Sequence, residues 1–167
     1  MKRLICILLI FCLSASFCAC SIWGSRLKEP VTFYYQRTNY QYNAQDGVIY
    51  SEERESSGHA EDLSFLLALY IAGPVSNELT CPFPGDTKLL SVTKTENIVQ
   101  IELSDIGNKI SDSQFSLACA CMTLTCLELT DVPNVTILSG DRITQLNRDS
   151  ILMYDYISEA TSSEENK

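Results

Sequence analysis

Hydrophobic positions follow three rhythms along this chain. From Leu4 to Phe17 they are almost continuous. From Val31 to Arg37 they alternate, with Val31, Phe33 and Tyr35 on one side, the period of a half-buried strand. Val48 to Arg54 reads as a second, more exposed strand. From about His59 to Ile71 the spacing becomes i, i+3, i+4, through Leu63, Leu66, Leu67, Tyr70 and Ile71, which predicts a helix. Glu61 and Asp62 then fall in its first turn, where the macrodipole favours negative charge. Gly73-Pro74 stops it, since glycine accepts the left-handed cap and proline cannot continue a helix.

Alternation returns over Lys88 to Lys94 and over Ile98 to Leu103, where Val99, Ile101 and Leu103 interleave with Gln100 and Glu102. One face is buried and the other wet, so the two arms predict a hairpin turning at Glu96-Asn97. Ser111 and Gln114 fit a capping box ahead of a helix to about Leu129. Its core stripe is Phe115, Ala118, Cys119, Met122, Cys126 and Leu129. Val132-Pro133 breaks it, and Val135 to Leu138 is the last strand, with Asp141 to Ser150 winding down. The order β-β-α-β-β-α-β predicts an α+β fold, a mixed sheet with two helices on one face. The chain divides into a leader (1–20), a tether (21–29), a domain (30–150) and an acidic tail (151–167) without predicted order.

The leader has the layout of a secretory signal. Met1-Lys2-Arg3 is basic, the apolar run follows, and small residues lead to Cys18-Ala19-Cys20. It resembles the lipobox of bacterial lipoproteins, which are cut before a lipid-bearing cysteine. Ala19 is small enough to precede such a cut and Phe17 is not, so Cys20 rather than Cys18 is the expected attachment point. The alternative is an uncleaved anchor, because no charge occurs from Leu4 to Ser25, roughly the 20 residues that span a bilayer. Either way the basic end stays inside and the domain lies outside.

The composition is that of a folded domain, 46% hydrophobic and 20% charged, with formal charge −9. Losing Lys2 and Arg3 with the leader takes it to about −11. That argues against nucleic acid and against broad contact with anionic headgroups. Of eight cysteines, Cys6, Cys12, Cys18 and Cys20 belong to the leader. Cys119, Cys121 and Cys126 share a predicted helix at spacings that do not bridge, leaving Cys81 to a helix thiol as the one plausible disulfide. No metal is expected, since the spacing is helical and His59 is the single histidine. A nucleophilic triad would have to use His59, and no catalytic residue is assigned. Glu52, Glu53, Glu55, Glu61 and Asp62 could in principle pair for glycoside hydrolysis, but Arg54 and serines interleave with them as in a solvated stretch. Tyr34, Tyr35, Tyr40, Tyr42 and Tyr50 crowd the N-terminal third. Part of that group is expected in the core, and the rest could face a partner or a cell-wall glycan.

Several residue runs recur in a specific order. Leu66-Leu67 leads to Gly73-Pro74, then to Pro82-Phe83-Pro84-Gly85-Asp86-Thr87-Lys88-Leu89-Leu90-Ser91-Val92 and Ile98 to Ser104. Thr123-Leu124-Thr125, Val132 and Val135-Thr136-Ile137 follow. Over about Val31 to Asp141 this resembles the GerMN domain of exported sporulation and germination lipoproteins, in a single-domain form. The resemblance implies a fold like the ring-building motif of oligomerising sporulation-channel proteins. It also implies a non-enzymatic scaffold or interaction role, with a protein partner or self-association and no cofactor. The location would be extracytoplasmic, lipid-anchored to the cell membrane of a Gram-positive-type spore former. Binding of cell-wall glycan or a small ligand through the tyrosines is the alternative, and a hydrolase a weaker third.

Overall fold

The computed structural model describes residues 27–39 and 47–151. The leader with Cys20, the loop with Tyr40 and Tyr42, and the tail from residue 152 lie outside the described residues. Seven strands and two helices are described: β1 (Pro30–Arg37), β2 (Ile49–Glu55), α1 (Leu63–Ile71), β3 (Leu79–Thr80), β4 (Leu89–Lys94), β5 (Ile98–Leu103), α2 (Asp112–Leu129), β6 (Asn134–Ser139) and β7 (Arg142–Asn147). The α+β class holds, and two strands join the predicted order. The two-residue β3 is too short to leave a pattern. β7 replaces the expected winding-down segment, pairing antiparallel with β6 from Asn134↔Asn147 to Ser139↔Arg142.

The strands form two sheets rather than one. Sheet A is antiparallel, in the order β2-β1-β3, and sheet B has the order β4-β5-β6-β7. Within sheet B the β5–β6 pair is parallel, which makes this sheet mixed. Parallel neighbours need a crossover, and α2 supplies it. It packs on β6 and β7 of sheet B and on β1 of sheet A, so it lies between the sheets. Phe115, Ala118, Cys119, Cys121, Met122 and Cys126 are all buried on it. The predicted stripe and capping box are both present, with Ser111 Oγ accepting from Gln114 N–H and the Gln114 side chain accepting from Ser111 N–H.

One core spans both sheets. Phe33 and Tyr35 of β1 meet Leu66, Leu67 and Tyr70 of α1, and the cluster continues through α2 to Val99, Ile101, Val135 and Ile137. Burying one such side chain is worth roughly 1.5–3 kcal/mol. Tyr35 stacks on Tyr70 at 4.8 Å between ring centroids and donates its hydroxyl to the Tyr70 carbonyl at 3.1 Å. Helix α1 begins at Leu63, later than the pattern suggested. Asp62 is its N-cap, accepting from Phe65 N–H at 3.0 Å, and Glu61 precedes the helix. Two i→i+3 turns, His59 N–H to Ser56 O and Asp62 N–H to His59 O, occupy the stretch that resembled a first turn. At the far end Gly73 takes φ +101° and donates to Tyr70 O.

Candidate interaction surfaces

The carboxylates singled out in the sequence do not converge on a cleft. Glu52 lies on the core side of sheet A, opposite Phe33 in the β1–β2 register. Its carboxylate accepts from Val75 N–H and Ser76 N–H, the latter at 2.7 Å. Arg54, two residues on, donates to Gly73 O at 2.9 Å and to Leu69 O at 3.4 Å, with its guanidinium over the Phe33 ring. The pair thus ties down the end of α1, a cation meeting the helix carbonyls and an anion meeting the amides that follow. Glu53 and Glu55 are exposed. Glu61 and Asp62 border a shallow groove with Leu63, Ser64, Val92 and Lys94. His59 is exposed and stacks on Phe65 at 4.2 Å.

The tyrosines divide as well. Tyr35 is wholly buried, while Tyr34 and Tyr50 are half-buried. Tyr50 meets Arg37 through a hydrogen bond and a cation–π contact. Tyr40 and Tyr42 lie outside the described residues. Cys81, Cys119, Cys121 and Cys126 are all free thiols, the last three buried. Burial lifts their pKa, to about 11 for Cys119 and about 12 for Cys126. That environment suppresses the reactive thiolate and marks these cysteines as small core hydrophobes. Among the described residues no group of three or more His, Cys, Asp or Glu side chains is placed to hold a metal. No described helix is long and apolar enough to cross a membrane.

Two buried polar joints escaped the sequence reading. Thr125 Oγ1 accepts from Tyr34 N–H at 2.9 Å and donates to Cys121 O at 3.0 Å. β3 pairs with β1 only at Gln36 and Arg37, so the rest of that edge needs another partner, and α2 provides one. Ser139 Oγ accepts from Ile106 N–H and donates to Ser104 O, fastening the β5–α2 connection to β6. Both joints link residues more than 30 positions apart, beyond the reach of any local pattern.

What the domain offers outwardly is the margin of sheet B. β4 and β7 are its two edges. Each carries an exposed large apolar residue, Leu90 at 57% and Ile143 at 69% exposure. The edges differ in protection. β4 is interrupted by a register shift between Leu89 and Ser91 and ends in Lys94, both devices that discourage pairing. β7 pairs without a break over six residues, and its one charge, Arg142, folds inward over the Phe115 ring.

The described residues define a packed α+β domain whose outstanding outer features are the edges of sheet B. The chain is a member of the Germane family, described as sporulation and spore germination, which matches residues 32–142. Membership ties its function to that process. The tandem GerMN domains of the sporulation protein GerM from Bacillus subtilis are 21% identical to it, over 68% of this chain and 39% of that one, with a TM-score of 0.46. A Clostridium perfringens protein described as a candidate lipoprotein is 20% identical, over 72% of this chain and 87% of that one, with a TM-score of 0.45. The chain therefore spans well under half of the tandem GerM domains. No curated protein matches it.

Proposed function

We propose that this protein is a non-enzymatic, extracytoplasmic interaction domain of sporulation or spore germination, held at the membrane by lipid on Cys20. The anchor reading draws on the leader, and the process on family membership. The observation that carries the interaction role is the β7 edge. It is six residues long, unbulged, free of outward charge and carries exposed Ile143. An extended segment of a partner protein, or of a second copy, adds there as a fifth strand: main-chain bonds supply affinity, and Ile143 with neighbouring Leu138 supplies a side-chain pocket.

Ile143→Lys at the native locus tests this. Full-length, folded protein should accumulate normally, while sporulation or germination falls to the level of the deletion strain. If the variant sporulates and germinates as wild type, β7 is not the working surface. If the deletion strain itself does so, the sporulation role fails. Anchoring is read separately: a fatty-acid analogue should label the wild type and not Cys20→Ala, and an unlabelled wild type sinks the lipid reading.

A further inference from the structure

The two sheets end in β2 and β3 for sheet A, and in β4 and β7 for sheet B. All but one of these edges are blocked. β2 carries the charged run Glu52 to Glu55. β3 has only two residues. β4 is broken by its register shift and closed by Lys94. β7 alone is regular, and it is uncharged from Ile143 to Asn147. With one receptive edge among the described residues, copies cannot add head to tail through their strands, because that needs a second edge to receive the first. The same edge can still meet itself across a two-fold axis, as an antiparallel pair of β7 strands.

The turn before β7 fixes which of its main-chain groups face outward. Ser139 and Arg142 flank the two-residue turn Gly140-Asp141, with Gly140 at φ +56°. Residues that flank such a turn exchange both main-chain bonds, and bonded pairs then alternate along the ladder. Arg142, Thr144 and Leu146 therefore spend their amides and carbonyls on β6, while Ile143 and Gln145 turn theirs to the open side. Those two residues set the register. Ile143 faces Gln145 of the second copy, so the same bonds form on both sides of an axis at Thr144. An axis at Ile143 would run Gln145 into the turn of the second copy. An axis at Gln145 would set Arg142 opposite Arg148 of the second copy, and Asp141 opposite its Asp149, two like-charge pairs. The Thr144 axis instead brings exposed Arg148 alongside exposed Asp141 of the second copy, twice over. It also pairs Thr144 with its own equivalent, a favourable cross-strand combination. In a chain of formal charge −9, this edge lets two copies meet without opposing carboxylates.

We propose that two copies of this chain join antiparallel through β7, about an axis at Thr144, fusing their four-stranded sheets into one. This rests on β7 being the working edge and takes the second copy as its occupant. Sedimentation of the full-length protein in detergent, with hydrogen exchange on the same samples, tests it. Protein mass per particle should double as concentration rises, and the Ile143 and Gln145 amides should exchange at least about tenfold slower in the dimer. Asp141→Arg, which faces Arg148 of the second copy twice, should weaken association at least about tenfold, and adding Arg148→Asp should restore it. Gln145→Pro removes an outward amide and no bond to β6, so it should give a folded monomer. A wild type that stays monomeric at every concentration overturns the proposal. If Ile143→Lys then still abolishes sporulation or germination, β7 serves a different protein and the working-edge reading survives. A dimer that withstands both Asp141→Arg and Gln145→Pro, with β5 and β6 amides still protected, is joined elsewhere and overturns the proposal too.

Discussion

Thr123 and Thr125 stand two residues apart on α2, both fully buried, yet their hydroxyls differ in circumstance. Thr125 Oγ1 satisfies the Tyr34 amide at 2.9 Å. Thr123 Oγ1 has no hydrogen-bond partner among the described residues. Valine is nearly isosteric with threonine, so replacing each isolates the hydroxyl. Thr125→Val strands a β1 amide between strand and helix, and a buried donor without a partner costs about 1–3 kcal/mol. Thr125→Ser keeps both bonds and loses one methyl, which costs about 0.5–1.5 kcal/mol on the scale of small core truncations. Thr123→Val removes an unpaired hydroxyl from an apolar setting and should be neutral or stabilise by up to about 1 kcal/mol. Urea denaturation of the domain at constant m-value reads the differences. By melting, each kcal/mol moves the midpoint by about 4 °C in a domain of this size. Equal effects of the two valines, or an unchanged Thr125→Val, would refute the assignment of Thr125 as the clasp on β1.

Other outcomes follow from the same contacts. Ser139→Ala strands Ile106 N–H and should lose about 1–3 kcal/mol, with faster amide exchange confined first to the β5–α2 connection. Gly140→Ala should destabilise by about 1–2 kcal/mol from its left-handed backbone alone. Its Cβ would also sit 2.7 Å from Asp105 Oδ1, so adding Asp105→Ala should recover only part of the loss in urea midpoint. Buried Cys126 stays protonated to about pH 12 when folded, against an ordinary value of 9.0. The unfolded chain therefore gives up that proton first, and stability should fall as pH rises from about 9 towards 12, with a shallower slope in Cys126→Ala. Arg54→Met should lose about 1.5–3 kcal/mol through the freed carbonyls of Leu69 and Gly73, and Arg54→Lys should restore only part of it in thermal melts.

Local periodicity made the long elements readable. Both helices and the β4–β5 hairpin follow from spacing, and Ser111 with Gln114 marks the start of α2 to the residue. β7 was missed because an edge strand has weak alternation. Its inner side carries Arg142, Thr144 and Leu146, its outer side Ile143, Gln145 and Asn147, so each side has one strong apolar residue. The division into two sheets was illegible for a different reason: it depends on which strands meet, and β1 meets α2 through residues 91 positions apart. Glu52 and Arg54 read as solvated charges because their partners are backbone groups beyond α1, which leave no trace in side-chain composition. The position of β7 at a margin of sheet B was hidden for the same reason, since an edge is a property of topology.

The position of β1 decides how the domain bears tension. Pro30 is where force would enter if the N-terminal side were held while a partner pulled on sheet B. The strand receiving it is not at a margin. It is bonded to β2 from Pro30 to Gln36 on one flank, and to Thr125 and then β3 on the other. A pull there must shear several bonds together instead of peeling off one at a time, so rupture is governed by the barrier to opening the whole core. Tension applied at Pro30 would thus load the central strand of sheet A before either of its edges.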